Sequence, residues 1–111
     1  MRRTTRTALL FLALVALAGC ATEAARLRTA ADAYATTLRV LADYRRAGRI
    51  DDAEAAQIED ARVAARAALD SWRGAVEAGG SNADAAQRFN EALDALIDAR
   101  LKAEGRRHER N

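Results

Sequence analysis

The sequence contains no proline, one cysteine, one histidine and one lysine, and only five of its 111 residues are aromatic. The absence of proline and the presence of only six glycines argue against a turn-rich sandwich or barrel and favour long, uninterrupted helices. A single cysteine excludes an internal disulfide framework, and the single histidine, His108, leaves too few ligands for a zinc site. We therefore expect no metal and, at this length, one small domain at most.

The charges that are present balance once the first residues are set aside. Residues 1–19 carry Arg2, Arg3 and Arg6 and no acid, so 15 of the 18 basic residues remain against all 16 acidic ones. Affinity for nucleic acid comes mainly from neutralising phosphates with a basic face. The remaining polar positions mix both signs, so we expect no nucleic-acid partner.

Residues 1–20 have the three-part organisation of a secretory signal: a basic start, an apolar run and small residues at the end. The run from Ala8 to Ala18 forms a helix of roughly 16 Å, well short of the roughly 30 Å hydrocarbon core of a bilayer. The arginines before it hold the amino end in the cytoplasm. This segment therefore predicts export of the chain that follows, and not a permanent span.

The segment ends in Leu17-Ala18-Gly19-Cys20, which resembles the lipobox of bacterial lipoproteins. The resemblance covers residues 1–21. It implies that Cys20 receives a diacylglyceryl group through its sulfur, that a dedicated peptidase cuts between Gly19 and Cys20, and that the freed amine is acylated. At about 0.8 kcal/mol per buried methylene, two or three acyl chains form a permanent anchor. The covalent lipid would be the only attached group, with no cofactor.

Two other interpretations of Cys20 remain open. In the first, Cys20 is an ordinary buried cysteine in a signal sequence or helix. In the second, the general signal peptidase cuts after Ala21, with Gly19 and Ala21 as its pair of small residues. If the resemblance holds in a Gram-negative host, alanine at position 21 in place of aspartate implies delivery to the outer membrane, facing the periplasm.

After Thr22, two glycine-containing breaks, Gly48 and Gly79-Gly80, divide the chain into three stretches, and Gly105 is expected to end the third. In each stretch bulky apolar residues recur at intervals of three and four, which is typical of helices. We predict an all-α fold, either an elongated up-down-up three-helix bundle or a helical hairpin with a third helix laid along it.

The predicted organisation has four parts: a signal peptide (1–19), a lipidated N-terminus with a short linker (20–22), a three-helix domain (23–105) and a polar tail (106–111). The first helix covers roughly 23 to 47. The second begins at Asp51, whose spacing from Glu54 is that of a capping box. Ser81 and Asp84 repeat this pattern at the start of the third helix.

The predicted core is thin. Only seventeen residues after Cys20 are Leu, Ile, Val, Phe, Tyr or Trp, so we expect marginal stability or burial against a second copy or a partner protein. The predicted stripes are Leu27, Tyr34, Leu38, Leu41; Ile58, Ala61, Ala65, Leu69, Trp72, Val76; and Ala85, Phe89, Leu93, Leu96, Ile97, with Arg100 or Leu101. Aromatic residues at helical spacing are usually core. Trp72, then Tyr34 and Tyr44, are nevertheless the first candidates for a partner contact.

No pattern in the chain indicates catalysis. Neither Ser71 nor Ser81 has a histidine or lysine base in its sequence context. The carboxylate pairs Asp51-Asp52 and Glu59-Asp60 are interpreted as cap and solvated surface. We therefore predict neither enzymatic activity nor a small-molecule substrate.

The leading hypothesis is a lipid-anchored helical envelope protein that acts by contact with itself or with another envelope protein. One alternative is a mobile-element or prophage lipoprotein acting in entry exclusion or lysis. Another is an accessory that binds the cell wall or a periplasmic enzyme.

Overall fold

The computed structural model describes the backbone of residues 2–110 and the side chains of residues 22–106. The helices are α1 (Arg2–Arg46), α2 (Asp52–Glu77) and α3 (Ala83–Arg110). They pack as an elongated bundle with a long axis of 43 Å. The prediction of an all-α three-helix bundle is confirmed.

Contacts between the helices establish their alternating directions. Trp72, late in α2, meets Glu23 of α1, whereas Arg106, late in α3, meets Glu54 near the start of α2. Tyr44 at the end of α1 also contacts Glu104 of α3. The chain therefore runs up, down and up, as short connections between helices require. We call the end that holds the connection between α1 and α2 the turn end.

Both predicted glycine breaks are present. Gly48 has φ of 74° and Gly79 has φ of 83°. This is the left-handed region that glycine occupies without steric penalty, and it is the usual conformation just past a helix end. After Gly48, the amide of Arg49 donates to the carbonyl of Tyr44 at 2.9 Å, which satisfies an otherwise unpaired carbonyl of the last turn.

The start of α2 confirms the predicted capping box. The amide of Glu54 donates to Oδ1 of Asp51 at 2.8 Å, and the amide of Asp51 donates back to Oε1 of Glu54 at 3.4 Å. The start of α3 differs from prediction, because Asn82 and not Ser81 is the cap: the amide of Ala85 donates to its Oδ1 at 3.0 Å. Both residue types cap well, and Asn82 is the one that directly precedes Ala83, the first residue of α3.

The prediction that Gly105 ends the third helix is wrong, because α3 continues through Gly105 to Arg110. Glycine inside a helix costs about 1 kcal/mol relative to alanine. Here the neighbouring turn is held by Ala103, which is fully buried, and by Arg106, which bonds to the α1–α2 connection. The backbone of the predicted polar tail is therefore helical as far as Arg110. The side chain of His108 lies outside the described residues.

The core follows the predicted stripes with one exception, and Thr37, Ile50, Ala68 and Ala103 are buried in addition to them. Leu101 is 58% exposed, so it is not a core residue. Thr37 is buried without having been predicted, and its hydroxyl donates to the carbonyl of Ala33 at 2.8 Å, which satisfies it one turn back along α1. The buried apolar residues are Tyr34, Leu41, Ile50, Ala65, Ala68, Leu69, Trp72, Ala85, Phe89, Leu93, Leu96 and Ala103.

The three helices do not share the core equally. The interface between α2 and α3 is the most extensive, and α1 packs less closely against each of them. Along α1, Leu27 and Leu38 are only partly buried against the core cluster. The grooves on both sides of α1 therefore leave apolar side chains at the surface.

Candidate contact surfaces

Two of the three aromatic residues predicted to contact a partner lie in the core. Tyr34 is 6% exposed and Trp72 is 5% exposed. Both rings pack against Phe89, with centroid distances of 6.0 Å from Tyr34 and 6.1 Å from Trp72. Such inclined pairs contribute beyond the area that they bury. We call Tyr34, Trp72 and Phe89 the aromatic cluster; it joins all three helices.

The polar atoms of this cluster are used inside the protein. The Tyr34 hydroxyl donates to the carbonyl of Arg62 at 3.2 Å, which connects α1 to α2. The Trp72 indole donates to Oε2 of Glu23 at 3.3 Å, which connects the other end of α2 to α1. Tyr34 and Trp72 therefore offer a partner almost no surface and no unused hydrogen-bonding group.

Tyr44, the third predicted contact residue, is half-buried at the turn end. Its hydroxyl donates to Oε1 of Glu104 at 3.0 Å, and Nε of Arg100 donates to the same oxygen at 3.0 Å. The guanidinium of Arg49 lies 5.2 Å from the centre of the Tyr44 ring, a cation–π distance. Burial, and next the hydrogen bond to Glu104, raise the pKa of Tyr44 above its usual value.

A second set of contacts closes the turn end from α3. Arg106 donates to the carbonyl of Arg49 at 3.1 Å and forms an ion pair with Glu54. The hydrogen bond from Arg106 is the main reason why the pKa of Glu54 is lowered. We call these residues together the turn-end network: Tyr44, Arg49, Glu54, Arg100, Glu104 and Arg106.

Sequence spacing did not reveal this network. Glu54 and Arg106 are 52 positions apart and Tyr44 and Glu104 are 60 apart. Within α3, the pair formed by Arg100 and Glu104 is separated by four residues, which is a helical ion-pair spacing. That local pair was the only signal in the sequence for the network, and it does not indicate a partner on another helix.

The predicted carboxylate pairs lie on the surface. Asp51 caps α2, and Asp52 forms an exposed ion pair with Arg45. Glu59 accepts two hydrogen bonds from Arg62, at 2.8 Å and 2.5 Å, and this lowers its pKa. Within residues 22–106 no three potential ligands come together as a metal site.

The grooves between the helices differ in their charge. The groove between α1 and α2, about 260 Å³ in volume, has Arg45 and Arg62 as its only charged lining residues. The groove between α1 and α3, about 540 Å³, includes Asp32, Arg100 and Glu104 and so carries both signs. We call the first the α1–α2 groove; it is lined by Leu38, Leu41, Ala42, Arg45, Ile50, Ala55, Ile58 and Arg62.

The predicted lipidation site, Cys20, and the predicted cleavage position between Gly19 and Cys20 lie outside the residues whose side chains the structure describes. In the part of the chain that the structure describes, no helix has an apolar stretch long enough to cross a bilayer. No protein-family model, curated protein or solved structure matches this chain. Its own residues therefore carry the functional argument.

Proposed function

We propose that this chain is a small lipid-anchored helical protein of the bacterial envelope that acts through protein contact and not through catalysis. The observation that carries the proposal is the tetrapeptide Leu17-Ala18-Gly19-Cys20. It stands directly after an apolar run that is too short to span a bilayer. In this proposal Cys20 becomes the first residue of the mature protein and carries the lipid.

The bundle supports a contact role in two ways. The polar atoms of its aromatic cluster and of its turn-end network form hydrogen bonds and ion pairs within the chain, so these residues act as structural parts. The features that remain at the surface are apolar grooves beside α1 and the exposed side chains of Val63 and Leu101. In this proposal a partner protein contacts the chain at these apolar features.

The proposed location is the outer membrane, facing the periplasm, in a Gram-negative cell, since Ala21 stands where aspartate would favour retention in the inner membrane. With the lipid on Cys20, the bundle extends from the membrane along α1. In this proposal the turn end lies a few nanometres from the anchor, since the bundle's long axis is 43 Å.

Membrane fractionation with mass spectrometry tests the anchoring. The full chain, expressed in a Gram-negative host, should appear in the membrane fraction with an N-terminal peptide that begins at Cys20 and carries acyl chains. Cys20→Ser, which retains a small polar side chain but cannot form the thioether, should remain full-length and unacylated. Recovery of the unmodified precursor from the cytosol, or the same cleavage and acylation in Cys20→Ser as in the parent chain, would overturn the proposal.

A further inference from the structure

The α1–α2 groove combines an apolar floor with charge of a single sign. Leu38, Leu41 and Ile58 form the floor. Arg45 and Arg62 stand at its rim, with side chains 46% and 41% exposed. Arg62 donates two hydrogen bonds to Glu59, whereas Arg45 forms a single, largely exposed ion pair with Asp52, so Arg45 can exchange its partner at little cost.

The outward side of α2 has the complementary character. Ala56, Asp60, Val63 and Ala67 follow one another at intervals of four, three and four, so they share one face of the helix. All four are exposed, and Val63 is 54% exposed despite being fully apolar. We call these four residues the α2 outer face. It carries a carboxylate and no basic residue.

Asp60 is available for an external contact. Its carboxylate forms no ion pair within the part of the chain that the structure describes, whereas its neighbour Glu59 is held by Arg62. Val63 is 54% exposed, so more than half of its surface is left uncovered by the described part of its own chain. An apolar side chain beside an unpaired acid fits an apolar groove with arginines at its rim.

The other exposed apolar residue does not offer the same match. Leu101 lines the α1–α3 groove of its own chain, together with Arg100 and Glu104. The carboxylates of Asp32 and Glu104 line that groove beside Arg100, whereas Asp52 and Glu59, which pair with the arginines of the α1–α2 groove, do not line it. Charge complementarity therefore favours Val63 over Leu101 as the residue that enters an α1–α2 groove.

We propose that the α2 outer face of one copy docks into the α1–α2 groove of a second copy. Val63 contacts the apolar floor, and Asp60 lies near the arginines at the rim. This inference rests on the proposed function, because it names the contact partner of the anchored protein as the protein itself.

The contact is head-to-tail, since a face on one copy meets a different surface on the next. In a dimer one copy has an unused groove and the other has an unused face. Further copies can therefore add in series, or the series can close into a ring. Anchoring through Cys20 places all copies on one membrane and raises their effective concentration. A small contact surface is then sufficient.

Disulfide cross-linking between two differently tagged copies tests this arrangement. Full chains carrying Val63→Cys and Ala42→Cys are co-expressed and oxidised in membranes, and the doubly tagged dimer should form. The matched control replaces Val63→Cys with Leu101→Cys, which is comparably exposed at 58%. The control pair should remain at the level of the parent chain, which contains only Cys20.

Several outcomes overturn the proposal. Equal cross-linking of both pairs, or of neither pair, contradicts docking of Val63 in the groove. Cross-linking of Ala42→Cys to a different protein, without the doubly tagged dimer, assigns the groove to another occupant. These results are separate from the anchoring test, because lipidated Cys20 in membranes with no dimer would overturn only the self-docking.

A charge reversal tests the electrostatic part of the proposal. Adding Asp60→Lys to the Val63→Cys chain should reduce the dimer on the order of tenfold, because like charges meet at the arginine rim. Asp94→Lys makes the same change in charge at an exposed position of α3 and should leave the yield unchanged. Circular dichroism of both variants confirms that they are folded. An equal reduction by both variants would assign the effect to net charge and overturn the specific contact.

Discussion

The aromatic cluster and the turn-end network hold the same three helices together by different forces. The cluster centres on Phe89, which is fully buried, and on inclined contacts between rings. The network relies on ion pairs and hydrogen bonds whose side chains are partly in solvent, such as Arg100 and Glu104, which are 36% and 35% exposed. Apolar burial contributes more free energy than exposed ion pairs do. The cluster should therefore set the stability of the bundle, and the network its dependence on salt and pH.

The largest expected effect comes from removing the centre of the aromatic cluster. Phe89→Ala should lower the free energy of unfolding by about 3 to 5 kcal/mol, because it leaves a cavity between Tyr34 and Trp72. In a bundle with so thin a core, much of the helical signal should be lost. Urea unfolding followed by circular dichroism measures the change. Leu101→Ala, which truncates an exposed side chain, should shift stability by less than about 0.5 kcal/mol; similar losses in the two variants would contradict the assignment of the core.

The next largest losses of stability are expected from removing the helix caps, which lie at opposite ends of the bundle. Asp51→Ala at the turn end and Asn82→Ala at the opposite end should each lower the free energy of unfolding by about 1 kcal/mol, because each leaves an amide of the first turn unpaired. Urea midpoints provide the measurement. Ser81→Ala should change stability by less than about 0.5 kcal/mol. A larger loss of stability in Ser81→Ala than in Asn82→Ala would show that Ser81 is the cap, as predicted from the sequence.

Removing one tyrosine hydroxyl from the turn-end network and one from the aromatic cluster tests whether the two regions differ in their electrostatic contribution. Tyr44→Phe and Tyr34→Phe should each cost about 0.5 to 1.5 kcal/mol, since each removes one hydrogen bond. The salt dependence of these two losses of stability should differ, because Tyr44 donates to the carboxylate of Glu104 whereas Tyr34 donates to a neutral carbonyl. Thermal melts at low and high salt test this. Equal salt dependence for the two variants would remove the electrostatic distinction between the regions.

The smallest expected effect is a pH dependence that arises at the turn end. The pKa of Glu54 in the folded protein lies below its ordinary value of 4.5, chiefly because Arg106 donates to it. Its ionised form therefore stabilises the fold above pH 4.5, and this contribution is lost as the pH falls through the lowered pKa. Glu54→Gln can retain the capping box but removes the titrating group.

The free energy of unfolding, measured from neutral pH downward, should therefore decrease less steeply in Glu54→Gln than in the parent chain. Glu91→Gln, at an exposed position of α3, provides the matched control and should follow the parent. Identical acid profiles for all three chains would show that Glu54 does not contribute to the pH dependence.

Most of the fold could be predicted because its signals are local. Apolar residues at intervals of three and four indicated the buried stripes, and the spacing of Asp51 and Glu54 indicated the capping box. Where two equivalent local signals were adjacent, as at Ser81 and Asn82, the sequence did not decide between them. At Gly105 a local stop signal was overridden by contacts of the flanking Ala103 and Arg106, which only packing against the other helices supplies.

The candidate surfaces were less predictable. Trp72 and Tyr34 were singled out as aromatic residues, yet their exposure depends on how three helices meet. The turn-end network joins residues more than fifty positions apart, and no periodicity within one helix reports such a pair. Val63 is likewise exposed because α2 directs its buried stripe toward the other two helices, and Val63 lies outside that stripe.

The sequence by itself determined that the chain is helical, where two of its helices end and which stripe each helix buries, because hydrogen bonding and side-chain spacing within one helix act over a few residues. Only the tertiary structure decided which charges meet across helices, how far α3 continues and which apolar side chains remain in solvent. Those outcomes depend on distances between segments remote in the chain, and such distances exist only once the helices have packed.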